Sequence, residues 1–312
     1  MKSDLETWRH GTGTPPTASP WRRLILLVTL LSGAVPAQAD TSREALLESI
    51  KLKLAAYKVA RMASIAGPNQ ITILNQARFA LPAGAVFIPK KEVQQMLQAM
   101  KMPTNDKTVG AILSADESQS WAMEIRYVPS GYIPESGIEE IKSPRFADDL
   151  KNALLQASAK QSSATRITFT EWISQPTYSM SAHCFEFAFK GMASYLENEP
   201  VLLSASLMMG REGFGAVSLH TEQTDAPVAQ AAYRKIVDSW AFLPKKRYED
   251  YSFLFDKKAS GKSALAAFKD EPVDSADAEP AGVSGHGKLT VALGVMLIIG
   301  VFAAMRHFKS KL

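Results

Sequence analysis

The chain has 312 residues, 46% of them hydrophobic and 21% charged, a globular balance that excludes a disordered protein. Its formal charge of +4 sits at the two ends: Lys2, Arg9, Arg22 and Arg23 outweigh Asp4 and Glu6, and Arg306, Lys309 and Lys311 close the chain. The middle is left at about −1, which excludes a nucleic-acid partner, and the one cysteine, Cys184, excludes both an intramolecular disulfide framework and a cysteine-based metal site.

Residues 1–39 read as a signal peptide with a long n-region. Arg22 and Arg23 precede an apolar run from Leu24 to Val35, and Ala37-Gln38-Ala39 supplies a small-x-small cleavage site before Asp40. Thr41 and Glu44 then form a capping box for an amphipathic helix within 40–66, with Leu47, Ile50, Leu54 and Tyr57 along one side.

The segment 67–268 carries the signature of an α+β domain. "QITILN" and "ARFALPAGAVFIP" are short strands bounded by Pro and Gly. Val93, Met96, Leu97 and Met100 have helical spacing, and "TVGAILSA" is a strand. "WAMEIRYV" alternates, placing Trp121, Met123, Ile125 and Tyr127 on an apolar face and Glu124 and Arg126 on a solvated one. Ser143-Pro144 opens a helix with Phe146, Leu150, Leu154 and Ala157 in one stripe. Strands follow at "TRITFTEWI", "YSMSAHCFEFAFK", "PVLLSASLMM" and "GFGAVSLHTE", and Pro227 opens a last helix with Tyr233, Ile236, Val237 and Trp240 inward. The expected architecture is a twisted antiparallel sheet of about six or more strands, with helices packed mainly on one face and one C-terminal transmembrane helix. Its layout resembles the photosystem-accessory-protein-like sandwich, whose last helix also leads into an aromatic closing segment, here "DSWAFLP".

Residues 269–288, "KDEPVDSADAEPAGVSGHGK", have the composition of a flexible tether. "LTVALGVMLIIGVFAAM", 289–305, is uncharged and spans about 26 Å as a helix, enough for a short membrane crossing. The basic tail 306–312 places that end in the cytoplasm and everything before Leu289 outside it. The expected location is the bacterial inner (plasma) membrane, with the main domain periplasmic.

Several blocks of the domain are similar to a bacterial family of membrane-anchored proteins, domain of unknown function 2167, over about residues 68–268. These are "WAMEIRYVPSGYI"; Trp172 with Pro176 and Tyr178; "MGREGFGAVSL"; and "KKRYEDYSFLFDKKASGKSALAAF". The chain departs from the family pattern at Pro134-Glu135-Ser136, where consecutive acidic residues are usual, and at "SAKQSSATR", where an Asn and Arg pair is usual. The resemblance implies location and fold kinship and carries no activity.

Candidate sites are weighed on the same residues. "GREGFG", 210–215, leads into a strand, so it reads as a hairpin turn and not as a phosphate loop. Strand parity puts His183 with Phe185, Phe187 and Phe189, opposite Glu186, and puts His220 on a solvent face, so no metal set converges. In "IRYVPSGYIPESG", Pro129 and Gly131 mark a turn and not a nucleophile elbow. The reading is a non-catalytic binding or interaction module with no catalytic residue, metal or cofactor. Tyr132, Arg211 and Tyr248 are its candidates for contact with a ligand or an envelope protein partner. The alternative is a periplasmic hydrolase using Ser130 or His183.

Overall fold

The computed structural model describes residues 37–259, apart from 101, 103, 136–142, 161–165 and 197. The apolar run 24–35, the tether 269–288, the span 289–305 and the basic tail lie outside the described residues. Among the described residues no helix is long and apolar enough to cross a membrane.

The chain forms a long helix α1 (Ala37–Met62), strands β1 (Ile65–Ala66), β2 (Asn69–Ile73), β3 (Ala77–Leu81) and β4 (Ala85–Pro89), and helix α2 (Lys90–Ala99). After these come β5 (Thr108–Ser114), β6 (Trp121–Val128) and helix α3 (Pro144–Lys160). Four long strands follow: β7 (Ile167–Ser179), β8 (Cys184–Ala193), β9 (Glu199–Met209) and β10 (Phe214–Glu222). Helix α4 (Ala226–Asp238) and the short strand β11 (Ala241–Phe242) complete the order. Eight strands make one antiparallel sheet, β1-β4-β5-β6-β10-β9-β8-β7, and β11-β3-β2 make a second. The expected α+β class and antiparallel sheet are present.

Each face of the large sheet is covered, for reasons legible in the side-chain alternation. On one face Phe185, Phe187 and Phe189 of β8 and Leu203 and Leu207 of β9 pack under Phe146, Leu150 and Leu154 of α3. Burial of each such side chain stabilises the fold by about 1.5–3 kcal/mol. Further along that face, Val86, Ile88, Ala111 and Leu113 lie under Val93, Met96 and Leu97 of α2. On the opposite face Met123, Ile125, Val217 and Leu219 pack against Tyr233 and Ile236 of α4 and against Ile71 and Phe79 of the small sheet. The helices therefore sit mainly on one side, with α4 and the small sheet closing the other.

Four local readings change. Helix α1 already runs from Ala37, so Thr41 and Glu44 lie inside it and do not cap it. Its last turns dock on the domain through the buried Ala60 and through Arg61, whose guanidinium donates to the carbonyls of Ser114 and Ala115 at 2.8 and 3.1 Å. The strand expected at "YSMSAHCFEFAFK" is split: Tyr178 and Ser179 end β7, a turn follows, and β8 begins only at Cys184. Above all, β6 is buried on both faces, because α2 and α3 extend cover over the side read as solvated. Glu124 and Arg126 are each 0% exposed and His220 is 1% exposed.

Candidate functional site

At one end of the large sheet, the β6 end, the tip of the β9–β10 hairpin and the last described segment meet. Strand β6 stops at Val128, where Pro129 cannot donate to the ladder. Gly131 then takes φ +88°, and a Cβ there would come within 2.7 Å of the Lys257 carbonyl oxygen, so only glycine lets the two backbones touch. Gly131 N–H donates to the Glu212 carbonyl at 3.0 Å, Tyr132 N–H to Lys257 at 2.9 Å, and Ala259 N–H back to Tyr132 at 2.8 Å.

These backbone bonds line up aromatic rings. Tyr251 stacks on Tyr132 at 3.8 Å, Tyr132 meets Tyr248 at 4.6 Å, and Tyr248 stacks on His183 at 4.2 Å. Offset stacks of this kind contribute about 0.5–1.5 kcal/mol each beyond the area they bury. Tyr248 donates its hydroxyl to the Ile133 carbonyl at 2.7 Å, and burial pushes its phenol well above the ordinary range. His183 is held with φ +46°, outside the strand to which alternation assigned it, with Nδ1 3.3 Å from Glu135 Oε1.

Arg211 sits at the hairpin tip. The Gly210–Gly213 turn is closed by Gly210 N–H donating to the Gly213 carbonyl at 2.8 Å, as a hairpin and not a phosphate loop. Arg211 makes a two-pronged pair with Asp256, both bonds 2.8 Å, and donates to the Lys245 carbonyl at 3.1 Å. The guanidinium, with the Ser252 N–H, holds the Asp256 carboxyl below the usual carboxylate range. Beside it, Lys246 and Gln76 bond Glu212 at 2.6 and 2.9 Å, and the lysine lowers that carboxyl as well.

Next to the ring ladder lies a groove of about 380 Å³. Its wall is apolar at Met209, Phe242, Leu243 and Pro244, aromatic at His183 and Tyr248, and charged at Arg78, Arg247 and Glu249. Arg78 on β3 is exposed and has no ion-pair partner among the described residues. Arg247 reaches Glu249 only at 3.8 Å, with both side chains more than half exposed, a spacing that contributes little in water. The cations on this rim are thus available to an anion. His183, a non-glycine residue with positive φ, lines the groove, and such backbone concentrates at functional sites.

Of the sequence candidates, Tyr132 and Tyr248 are in direct contact, and Arg211 joins them through Asp256 and through its own N–H to the Lys246 carbonyl at 3.0 Å. Ser130 donates its hydroxyl to the neighbouring Gly131 carbonyl at 3.0 Å, which directs that proton at a carbonyl and not at a base. Burial pushes the Cys184 thiol up to about 12, so it is not thiolate at neutral pH. Among the described residues there is no group of three or more His, Cys, Asp or Glu side chains placed to hold a metal.

Sequence reading missed two features. Arg78 gave no local signal and Arg247 stood only as one charge within "KKRYED", since the fold brings the two together from opposite ends of the domain. The second is a buried polar stripe on β5, β6 and β10. Thr108 donates to Glu124 at 2.6 Å, Arg126 Nε lies 3.9 Å from the same carboxylate, and Ser218 pairs with Glu124 across the strands. His220 lies along the same side between Ala122 and Leu203, and burial lowers its imidazole to about 3. Alternation assigned these groups to one side correctly and could not reveal that helices cover it.

The chain matches the family described as "Protein of unknown function (DUF2167)" over residues 65–269, and it belongs to that family. No curated protein matches it. Among solved structures, it is similar to cyanobacterial PsbP (CyanoP) from Synechocystis sp. PCC 6803, at 11% identity and a TM-score of 0.36 over 57% of this chain and 94% of that one. It is also similar to LpqN of Mycobacterium tuberculosis, a protein involved in cell envelope biogenesis there, at 8% identity and a TM-score of 0.31 over 54% and 83% of the two chains.

Proposed function

We propose that this member of the DUF2167 family is an exported, single-pass envelope protein whose α+β domain captures a small anionic ligand without transforming it. The export and anchoring half of the reading is supported by the apolar runs 24–35 and 289–305 and by the basic tail, which would put the domain outside the cytoplasm. The binding half is carried by one observation, the groove in which Arg78 and Arg247 face an apolar and aromatic wall. Few convergent charges over an apolar lining is the usual form of a small-ligand site.

Tyr248 is the residue of the three sequence candidates that lines the groove, and it would meet the ligand. Tyr132 and Arg211 would act behind it, one by stacking on Tyr248 and the other by fixing the 245–256 segment. An envelope protein presenting a carboxylate-bearing side chain would satisfy the same rim.

The test is calorimetric titration of the purified full chain in detergent with benzoate and phenyl phosphate, each an anion on an aromatic body. Saturable binding that weakens with added salt is expected, and Arg247→Ala and Arg78→Ala should each weaken it about tenfold. Equal binding by the wild type and both variants would overturn the groove as the site. Topology is tested separately: a reporter active only in the cytoplasm should work when fused after Leu312, and its silence there would refute the orientation.

A further inference from the structure

The segment that ends the described chain projects apolar side chains that the domain itself does not cover. Phe253, Leu254 and Phe255 are 78, 80 and 84% exposed, side by side in one turn. They are not a frayed end. Phe255 and Asp256 N–H groups both donate to the Ser252 carbonyl, at 3.2 and 2.9 Å, and Ser252 N–H donates to the Asp256 carboxylate at 2.6 Å. That carboxylate is the one gripped by Arg211. The fold therefore holds the turn in one shape with its apolar side chains outward.

Charge and chain length indicate what covers them. Lys257 and Lys258 follow directly, and the Lys258 ammonium lies 5.5 Å from the centre of the Phe253 ring. Aromatic rings beside lysines are the composition of a membrane–water boundary. From Ala259 the chain has about 30 residues before the apolar run at Leu289, which at random-coil dimensions would reach about 30 Å, comparable with a bilayer's hydrocarbon thickness. The turn is thus the described part of the domain nearest, along the chain, to the expected span.

We propose that Phe253, Leu254 and Phe255 form a wedge that enters the headgroup boundary of the membrane holding residues 289–305, with Lys257 and Lys258 against anionic headgroups. This rests on the anchoring reading above. The wedge fixes the orientation of the domain, because it selects the face that meets the lipid. The groove-bearing end of the sheet is then held beside the membrane surface.

The experiment uses the full chain in nanodiscs of phosphatidylethanolamine and phosphatidylglycerol. Leu254→Cys, Ser118→Cys and Leu297→Cys, each made with Cys184→Ala, carry an environment-sensitive fluorophore, and nitroxide-bearing lipids act as quencher. Quenching at position 254 should exceed that at the exposed turn position 118 several-fold, and should fall by at least half on Lys257→Glu with Lys258→Glu. Strong quenching at 297 with 254 no different from 118 overturns the wedge and leaves the anchor standing. Quenching at none of the three positions overturns both, and quenching at 254 but not at 297 overturns the anchor and with it the wedge as proposed. A blue-shifted probe at 254 that nitroxide lipid does not quench overturns the wedge in favour of a protein partner.

Discussion

The burial of His220 has a measurable pH consequence. Its side chain is flanked by Ala122 and Leu203 in the middle of the large sheet, and burial lowers its imidazole to about 3 against about 6.5 in an unfolded chain. The folded state keeps the ring neutral where the unfolded state takes up a proton, so stability is highest above the unfolded value and falls as pH drops below it. Integrating the difference between the two protonation curves, the His220 contribution weakens by about 2 kcal/mol between pH 7 and pH 5 and declines further towards the folded value. The assay is urea unfolding of the wild type and His220→Gln at several pH values in this window. The variant should lose about 1.4 kcal/mol per pH unit less than the wild type across the steep part of the window. Because the glutamine could leave the core unable to form, NMR titration of the wild-type imidazole provides an independent readout. A His220 resonance that titrates with a midpoint above about pH 6 would refute the reasoning, as would parallel stability curves for the two proteins.

Two further predictions concern the face opposite His220. A Cβ on Gly215 would lie 2.0 Å from the Trp240 ring, which stacks on Phe79, so Gly215→Ala should destabilise the domain by about 1–3 kcal/mol and shift Trp240 fluorescence. Ser206 donates its single proton to Glu186 at 2.6 Å, so the Tyr233 hydroxyl, also at 2.6 Å, must donate to Ser206. Tyr233→Phe removes that donor inside the core and should cost about 1 kcal/mol by chemical denaturation, and an unchanged midpoint would mean the chain of bonds contributes nothing.

Much of the fold was legible because its strands alternate. "WAMEIRYV" is β6 residue for residue, "GFGAVSLHTE" covers β10, and the spacing of Val93, Met96 and Leu97 gave α2 its buried stripe. What alternation cannot show is the partner on the second face. Glu124, Arg126 and His220 have the pattern of solvated positions, yet helices contributed from elsewhere in the chain shut them in. His183 failed for a different reason: its left-handed backbone takes it out of the strand, and no parity argument survives such a break. At the site, the clustered aromatics of 248–255 were visible as composition, and Tyr132 and Tyr248 were already singled out. Their stacking was not visible, because it depends on Gly131 admitting the 257–259 backbone. Arg78 was unreadable in principle, since only the pairing of β3 with β11 brings it near the groove.

The parallel bridge between Tyr132 and Lys258 has a mechanical meaning. It is the last backbone attachment among the described residues, which end at Ala259, and Tyr132 closely follows β6 in the middle of the large sheet. Tension on the chain beyond Ala259 is therefore delivered first to the bonds between Tyr132 and residues 257–259. From there it passes to the ring ladder that forms one wall of the groove. Were residues 289–305 anchored as proposed, a pull on the chain beyond Ala259 would load this wall of the groove before the rest of the described domain.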